Sequence, residues 1–502
     1  MNRNMKKISF YIILSLCLTQ ISCQEDFLKT TDPTRIGRDL FYQNQTQFEQ
    51  ALNGVYGQLQ TITNSAYIQQ EMMSDNTTFD FNPLDRGGAA GWEAFEYSTV
   101  NQGNGEISSL WNNHYSTMYN INYALEKLAA SKIDATAKGV LEGEFKFIRA
   151  YHYFNLVRYF GDVVLATKTL TNPNEAFDLV RSPQADVYKQ ILADLADASK
   201  LLPAKATLRG RATQGAALSL LGKVYLTQKN YAAASTTLKQ VTSLGYALNA
   251  NYKDNFDPAK KNGVESIFEV QYQGGNDLGE QSNFMYVFAP RLSAGSVTGF
   301  ANTTPSGRNI PTRDMINAYE AGDVRKAISV QPGYTLNGNF VGIPYVSKYQ
   351  YAHTITGRTD NNWPVLRYAD VLLMLAESIN EASGPNAEAY DYLNQVRKRA
   401  GLAALDGLSK DAFRTAVLKE RRVELAFENH RWFDLQRTLT PSQLTAFMNA
   451  HGAQEKANPT VARGGIAFNA LDYVYSDFEY FLPIPAPQIL INKNLTQNQG
   501  YN

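Results

Sequence analysis

Apolar side chains recur every three or four residues over most of the chain from about Gln47 to Tyr231. This spacing is typical of an α-helix with one buried face. An unusually aromatic stretch of this kind runs from Glu142 to Phe160, and Gly161 follows where we expect the helix to end. The pattern predicts a mainly α-helical protein; its first clear run consists of Phe48, Ala51, Leu52, Val55, Tyr56 and Leu59.

Two segments have the spacing of tetratricopeptide-like helix pairs. In the first, small Gly222 and Ala234 would let two helices approach closely, while large residues fill the seam. A looser second unit is predicted from Ala369 to Arg399, with its turn at Gly384. An ordinary helical hairpin is the alternative interpretation of the first segment, whose defining positions are Leu218, Leu221, Gly222, Tyr225, Tyr231, Ala234 and Leu238.

Between these units, from about Asn249 to Asn362, Gly, Asn, Pro and Thr are frequent and the periodicity fades. Residues 266–272 are predicted to form one short strand. A smaller irregular stretch spans Asp75–Asn104. Long loops of this kind in a compact protein are usually functional or mobile.

The first 22 residues have the features of a secretory signal peptide. Arg3, Lys6 and Lys7 precede an apolar run that is too short for a permanent membrane span. Ser22-Cys23 resembles the end of a bacterial lipobox, although Gln20 stands where Leu is usual. We therefore expect cleavage after residue 22 and lipidation of Cys23, which would anchor the chain stably in a membrane.

Charge and cysteine content exclude several classes of protein. The full chain has 47 basic and 47 acidic residues, and removal of residues 1–22 leaves 44 basic and 47 acidic ones. This balance argues against nucleic-acid binding by phosphate neutralisation. Of the two cysteines, Cys17 would leave with the signal peptide and Cys23 would carry lipid. A disulfide framework or a Cys-rich zinc site is therefore excluded.

Four stretches together resemble the SusD/RagB family of outer-membrane nutrient-binding lipoproteins, and they follow each other in the family's order. The third is the most specific, although Asn429 stands where the family more often has Gly. The stretches are 149–163 (RAYHYFNLVRYFGDV), 365–377 (VLRYADVLLMLAE), 420–435 (ERRVELAFENHRWFDL), and 482–485 (LPIP) with 497–501 (QNQGY).

The resemblance implies a fold of tetratricopeptide-like helix pairs with long irregular loops and a few short strands. We expect one domain over residues 23–502, with a helical scaffold at 40–248 and 363–450 and a ligand-loop region at 249–362. Family members cap a SusC-like TonB-dependent transporter and deliver glycans, or in some cases peptides, to it. A lipid-anchored position on the outer surface of the outer membrane is implied, and acidic Glu25 and Asp26 after Cys23 resemble the export signal for that surface.

Candidate ligand-binding residues come from both irregular regions. In the early region, Trp92 lies in a Gly-rich segment together with Asn82, Arg86 and Asp75. A tryptophan ring can stack on the C–H face of a sugar, while amide, guanidinium and carboxylate groups can bind its hydroxyls. The resemblance places further contacts in the mid-chain loops, where we select Tyr286, Phe300 and Asn302. No histidine spacing indicates a metal site, and no cofactor motif is present in the sequence.

One cluster suggests catalysis instead. Glu420, Glu424 and Glu428 lie four residues apart, so one helix face would present all three, and paired carboxyls can serve a glycosidase. Neighbouring Arg421, Arg422 and Arg431 favour a structural charge network over catalysis, because ion pairing keeps carboxylates ionised.

The sequence thus predicts a non-enzymatic surface lipoprotein that binds an oligosaccharide and delivers it to a partner transporter. The alternatives are a peptide-binding member of the same family, a glycosidase, and a structural lid that binds only the transporter.

Overall fold

The computed structural model describes residues 41–85, 87, 89–170, 172–275 and 278–501. The predicted signal peptide, Cys23 and Arg86 lie outside these residues. Helices dominate the described part, which confirms the mainly α-helical fold class. They are α1 (Gln45–Tyr67), α2 (Ala90–Glu96), α3 (Gly105–Ala130), α4 (Ala135–Phe160), α5 (Gln184–Leu201), α6 (Gln214–Thr227), α7 (Tyr231–Val241), α8 (Phe284–Phe288), α9 (Gly295–Thr298), α10 (Arg313–Ala318), α11 (Val324–Ser329), α12 (Tyr368–Ser383), α13 (Ala387–Arg399), α14 (Lys410–Glu424), α15 (Arg431–Thr438), α16 (Pro441–Ala457) and α17 (Ala486–Ile491).

The long helices pack in chain order, each against the next, from α3 through α7. Helix α7 then packs against α12, which in turn contacts α13 and α14. The helix pairs predicted on either side of the mid-chain loops are therefore stacked directly on each other. A buried ion pair joins α4 to α5, in which Nε and Nη2 of Arg149 donate to the two Asp194 carboxylate oxygens at 2.8 and 2.7 Å.

Close approach of α6 and α7 depends on a missing side chain. A Cβ atom added at Gly222 would lie 2.4 Å from Leu238 Cγ, well inside van der Waals contact. Ala234, one turn earlier on α7, is fully buried. The predicted role of these small residues in the seam is confirmed.

The strands are short and pair antiparallel in twos. The longest pair joins β4 to β10, so the mid-chain loops leave and re-enter the helical scaffold side by side. This confirms the predicted strand, which ends at Val270 rather than Tyr272. The strands are β1 (Thr77–Thr78), β2 (Val163–Val164), β3 (Arg181–Ser182), β4 (Ser266–Val270), β5 (Ile310–Pro311), β6 (Val330–Gln331), β7 (Tyr334–Leu336), β8 (Asn339–Val341), β9 (Tyr345–Val346) and β10 (Trp363–Arg367).

Two local predictions are wrong. The stretch Asp75–Asn104 is not irregular throughout, because it contains α2. The expected shared helix face of the three glutamates also fails, because α14 ends at Glu424. Glu428 lies in the turn that follows, between Phe427 and Asn429, whose φ angles of 63° and 66° are left-handed.

Candidate ligand-binding surface

Asp75 has a structural role in this conformation rather than the predicted one. It is buried, and Arg431 Nε lies 2.8 Å from its Oδ1 while Arg422 Nη2 lies 2.7 Å from its Oδ2. Burial alone would raise the pKa of Asp75, but Arg431 and Arg422 together lower it well below its usual value. A carboxylate held by two arginines in the interior has no free edge for a ligand, so we withdraw Asp75 as a ligand contact.

Trp92 is also placed differently from the sequence prediction. It lies within α2 with 8% of its surface exposed, not in an open Gly-rich loop. Phe79 contacts it edge to face at a centroid distance of 5.0 Å, and the Arg308 guanidinium carbon lies 4.7 Å from the ring centroid. Both contacts cover surface that a sugar would need, so Trp92 provides no stacking platform here.

Asn82 remains partly exposed in the segment before α2. Its Oδ1 accepts a hydrogen bond of 3.1 Å from the Leu84 amide, which fixes a turn beside the strongly exposed Leu84 side chain. Asn82 thus stays on the surface.

Tyr286 and Phe300, selected separately from the mid-chain loops, come together around His353. The Tyr286 hydroxyl lies 2.5 Å from His353 Nε2, and the Phe300 ring centroid lies 4.9 Å from that of His353. All three side chains are half-buried, so each keeps part of its surface accessible. We call Tyr286, Phe300 and His353 the aromatic cluster.

Hydrogen bonding assigns the tautomer of the neutral His353 ring. Its Nδ1 lies 3.1 Å from the Tyr351 carbonyl oxygen, which can only accept, so Nδ1 carries a proton. In the neutral imidazole Nε2 is then an acceptor, and the Tyr286 hydroxyl donates to it. The Tyr286 oxygen can itself accept, and the Gly357 backbone amide is one donor beside it.

Backbone contacts hold the cluster in place. Tyr286 carbonyl oxygen accepts from the Ser306 amide at 2.9 Å, and the Arg308 amide donates to Val287 at 3.0 Å. The Thr303 hydroxyl donates to the Phe300 carbonyl oxygen at 2.9 Å, which closes the loop after α9. Asn302, the remaining mid-chain prediction, is exposed within that same loop.

The early segment reaches this loop region through Asp80. Its amide donates to the Gly307 carbonyl oxygen at 2.7 Å, and its Oδ2 accepts from the Arg291 amide at 2.8 Å. Gly307 has φ +64°, and a Cβ atom there would lie 2.6 Å from Asp80 Cβ. The contact therefore needs glycine. The two regions selected from sequence therefore meet, both through Asp80 and through the contact of Arg308 with Trp92.

His353 is the part of the aromatic cluster that sequence reasoning missed. The residue lies in a loop without a recognisable motif, 67 positions from Tyr286. A single loop histidine gives no periodic or spacing signal, so only the fold reveals its partners.

The three glutamates considered for catalysis are buried, and each contacts at least two basic side chains at salt-bridge distance. This confirms a structural charge network, but not its predicted partners, because Arg421, Arg422 and Arg431 pair with aspartates instead. We call it the ion-pair network; its members are Glu265, Arg325, Lys348, Arg367, Arg397, Arg399, Glu420, Glu424 and Glu428.

Arg367 lies at the centre of the ion-pair network. Its guanidinium contacts Glu265 at 2.6 Å, Glu424 at 3.0 Å and Glu428 at 2.7 Å, all in the interior. Burial alone would raise the pKa of Glu424. The positive charges of Arg399, Arg367 and Arg325 outweigh this effect and lower the pKa well below its usual value. A carboxylate held ionised in this way is a poor proton donor, which argues against a glycosidase acid at this position.

No helix within the described residues is long and apolar enough to cross a membrane.

Comparison with known proteins supports the same family over both ends of the chain. Residues 331–501 match the SusD family model, and residues 26–226 match a model described as starch-binding associating with outer membrane. Residues 227–330, which include Tyr286, Phe300 and Asn302, lie between the two matches.

Whole-chain relatives agree. SusD-like protein P2 of Formosa agariphila is 25% identical, with 99% of both chains covered. A laminarin-binding SusD-like protein of known structure is 26% identical and has a TM-score of 0.76, covering 92% of this chain and 100% of that one. A SusD-like crystal structure from Bacteroides fragilis is 25% identical, with a TM-score of 0.75, covering 93% and 99%. The two family-model matches, the whole-chain relatives and the solved structures together support a SusD-like family protein.

Proposed function

We propose that this protein binds an oligosaccharide at the bacterial cell surface and delivers it to a SusC-like TonB-dependent transporter. The observation that carries the proposal is the aromatic cluster, which combines two partly accessible rings with hydrogen-bonding groups. Aromatic faces suit the C–H surface of a sugar ring, and a few convergent polar groups are the usual source of orientation in a binding site. The laminarin-binding relative of similar fold supports a glycan as the ligand class.

Affinity in this proposal comes from stacking and hydrogen bonds without bond chemistry. Phe300 supplies an apolar face, Tyr286 supplies a face and an accepting oxygen, and exposed Asn302 supplies an amide. Asn82 and Arg86 of the early segment extend the proposed surface. The Asp80–Gly307 contact supports this extension, because it holds the early segment against the mid-chain loops.

Binding of a glycan panel that begins with laminarin, measured by calorimetry, tests the site. We expect Tyr286→Ala and Phe300→Ala each to weaken binding ~5-fold or more, since stacked rings in binding sites are worth about 1–3 kcal/mol. Phe177→Ala removes an aromatic ring that is 44% exposed on a different segment and is expected to bind normally. Unchanged binding in both cluster variants would show that the site is elsewhere.

The outcome also separates the alternatives. Saturable binding of short peptides but not of glycans would favour a peptide-binding member of the family. Release of reducing sugar that disappears in Glu424→Gln would favour a glycosidase. Binding of the transporter without any nutrient ligand would favour a structural lid.

We further propose that residues 1–22 are removed and that Cys23 carries the lipid anchor. Labelled palmitate should enter the wild-type chain and not Cys23→Ala. Affinity purification from native outer membranes should recover a TonB-dependent barrel with the wild-type protein, and incorporation of label into Cys23→Ala would contradict the anchor assignment.

A further inference from the structure

A cavity of about 50 Å³ lies within the helical scaffold, and none of the aromatic-cluster residues line it. Its lining comes from α1, α4, α6, β10, α15 and the turn before α15. Since a bound water needs roughly 10–15 Å³ of such space, the cavity has room for a group of a few non-hydrogen atoms. Half-buried Arg158 and Thr227 are among the lining residues, so the cavity has access to solvent.

Arg158 of α4 supplies the chemistry of the cavity. Its guanidinium lies between two rings, with its central carbon 3.7 Å from the Phe154 centroid and 3.5 Å from the Phe433 centroid. Nε donates to the Phe154 carbonyl oxygen at 2.9 Å, and Nη2 donates to Asn155 Oδ1 at 2.6 Å. A guanidinium has five N–H donors, so three of them have no acceptor in the described part of the chain.

The positive charge of Arg158 is not balanced by a neighbouring acid. Among the described residues, no carboxylate lies within salt-bridge distance of it. Asp434 also lines the cavity, but Arg421 and Arg437 already hold its two oxygens. Burial lowers the pKa of Arg158 to about 10, which still leaves the group charged at neutral pH.

The other basic side chains of the cavity, Lys223 and Arg437, are already paired, and Arg437 contacts Glu377 and Asp434. Lys223 Nζ lies 2.8 Å from Asp370 Oδ2 and 3.1 Å from His430 Nδ1. Arg158 is therefore the one cation of this lining that lacks an acid partner within the described residues.

Asn155 adds a second unsatisfied donor. The residue is 2% exposed, and its Nδ2 is buried without a hydrogen bond of normal geometry, although the Tyr151 hydroxyl lies nearby. A buried donor without an acceptor is costly. Two neighbouring groups on one helix turn thus both have N–H donors available in the same cavity.

We propose that this cavity is a binding site for a small oxyanion, a carboxylate group or inorganic phosphate, held by Arg158 and Asn155. The planar N–H edge of a guanidinium matches the oxygens of either group in a two-point contact. The size of the cavity admits one such group and excludes a sugar ring. This site is separate from the proposed glycan surface, so either proposal can fail without the other.

Thermal unfolding of the whole protein in sodium phosphate, sodium acetate and sodium chloride at equal ionic strength tests the site. We expect a saturable rise in Tm of about 2 °C in phosphate or acetate over chloride, since ligands that bind only the folded state stabilise it. Calorimetric titration with the same salts then shows which oxyanion binds more tightly. Arg158→Gln should abolish the rise, and Arg158→Lys should reduce it, because lysine keeps the charge but loses the planar edge.

Arg209→Gln is the matched control, because it removes an exposed guanidinium elsewhere and should keep the full effect. If Arg158→Gln does not fold, Thr227→Met, which narrows the cavity and leaves Arg158 in place, should weaken binding instead. An equal rise in the wild type, Arg158→Gln and Thr227→Met would overturn the proposal. So would the absence of any rise over chloride in the wild type.

Discussion

The ion-pair network and the aromatic cluster are built in opposite ways. In the network, every carboxylate contacts at least two basic side chains in the interior. More than one ion pair therefore fixes the position of each carboxylate. The aromatic cluster has three half-buried rings joined by one side-chain hydrogen bond. The first arrangement is suited to holding the scaffold, and the second leaves surface and hydrogen-bonding capacity for a ligand.

The strongest test of this contrast is removal of the central cation of the ion-pair network. Arg367→Met leaves Glu265, Glu424 and Glu428 short of a partner in the interior, so we expect a loss of about 3–5 kcal/mol in the free energy of unfolding. Urea denaturation measures it. Arg414→Ala breaks a half-exposed pair and should cost at most ~1 kcal/mol. Equal losses in both variants would contradict the contrast.

A second prediction concerns pH at the edge of the network. Glu71 is fully buried, and burial raises its pKa to about 7, with nearby Glu428 adding to the effect and Asn76, Asn429 and Lys348 opposing it. The folded state therefore holds this proton more tightly than the unfolded state, whose pKa is about 4.5. Stability should fall as the pH rises from about 4.5 to about 7, by ~3 kcal/mol from this group.

Glu71→Gln tests this sign, because an amide cannot lose the proton. Denaturant unfolding at pH 5 and pH 8 should show a smaller loss of stability in the variant than in the wild type. Glu280→Gln removes an exposed carboxylate and should leave the wild-type difference unchanged. A steeper loss in Glu71→Gln would show that the sign is wrong.

A third prediction concerns the scaffold, at the seam where Gly222 lets α6 pack against α7. Gly222→Val adds atoms where even a Cβ would overlap Leu238, so we expect a loss of about 1–3 kcal/mol. Gly54→Ala is the matched change at an exposed position of α1, where a Cβ meets nothing within 4 Å. It should stabilise by ~0.5–1 kcal/mol, because alanine is the better helix former. Thermal unfolding of both variants should therefore shift Tm in opposite directions.

Regular structure was predictable where one physical rule acts alone. Gly161 ends α4 with φ +71°, and Gly222 allows the helix seam, as their positions in the pattern indicated. Periodicity failed where the chain leaves a helix, since Glu428 continues the spacing of α14 but lies in a turn. The left-handed φ of Asn429 also explains why family members more often have glycine there.

The site was less predictable, because exposure depends on which distant segments cover a side chain. The Gly-rich context of Trp92 suggested an open ring, yet Phe79 and Arg308 cover it. Asp75 is bound by arginines more than 340 positions away in sequence. Tyr286 and Phe300 stay half-exposed, but the histidine that joins them could be found only from the fold.

The smallest expected loss of stability comes from a change in the aromatic cluster. Phe300→Ala removes a half-buried ring from a loop that the Thr303 and Thr298 hydroxyls hold independently, so we expect at most ~1 kcal/mol of lost stability. The same change is expected to weaken glycan binding ~5-fold or more. A residue that matters for binding and hardly for folding has the opposite profile to Arg367. Stability and binding should therefore be measured on both Arg367→Met and Phe300→Ala. A large loss of stability in Phe300→Ala would show that the aromatic cluster, like the ion-pair network, holds the scaffold together.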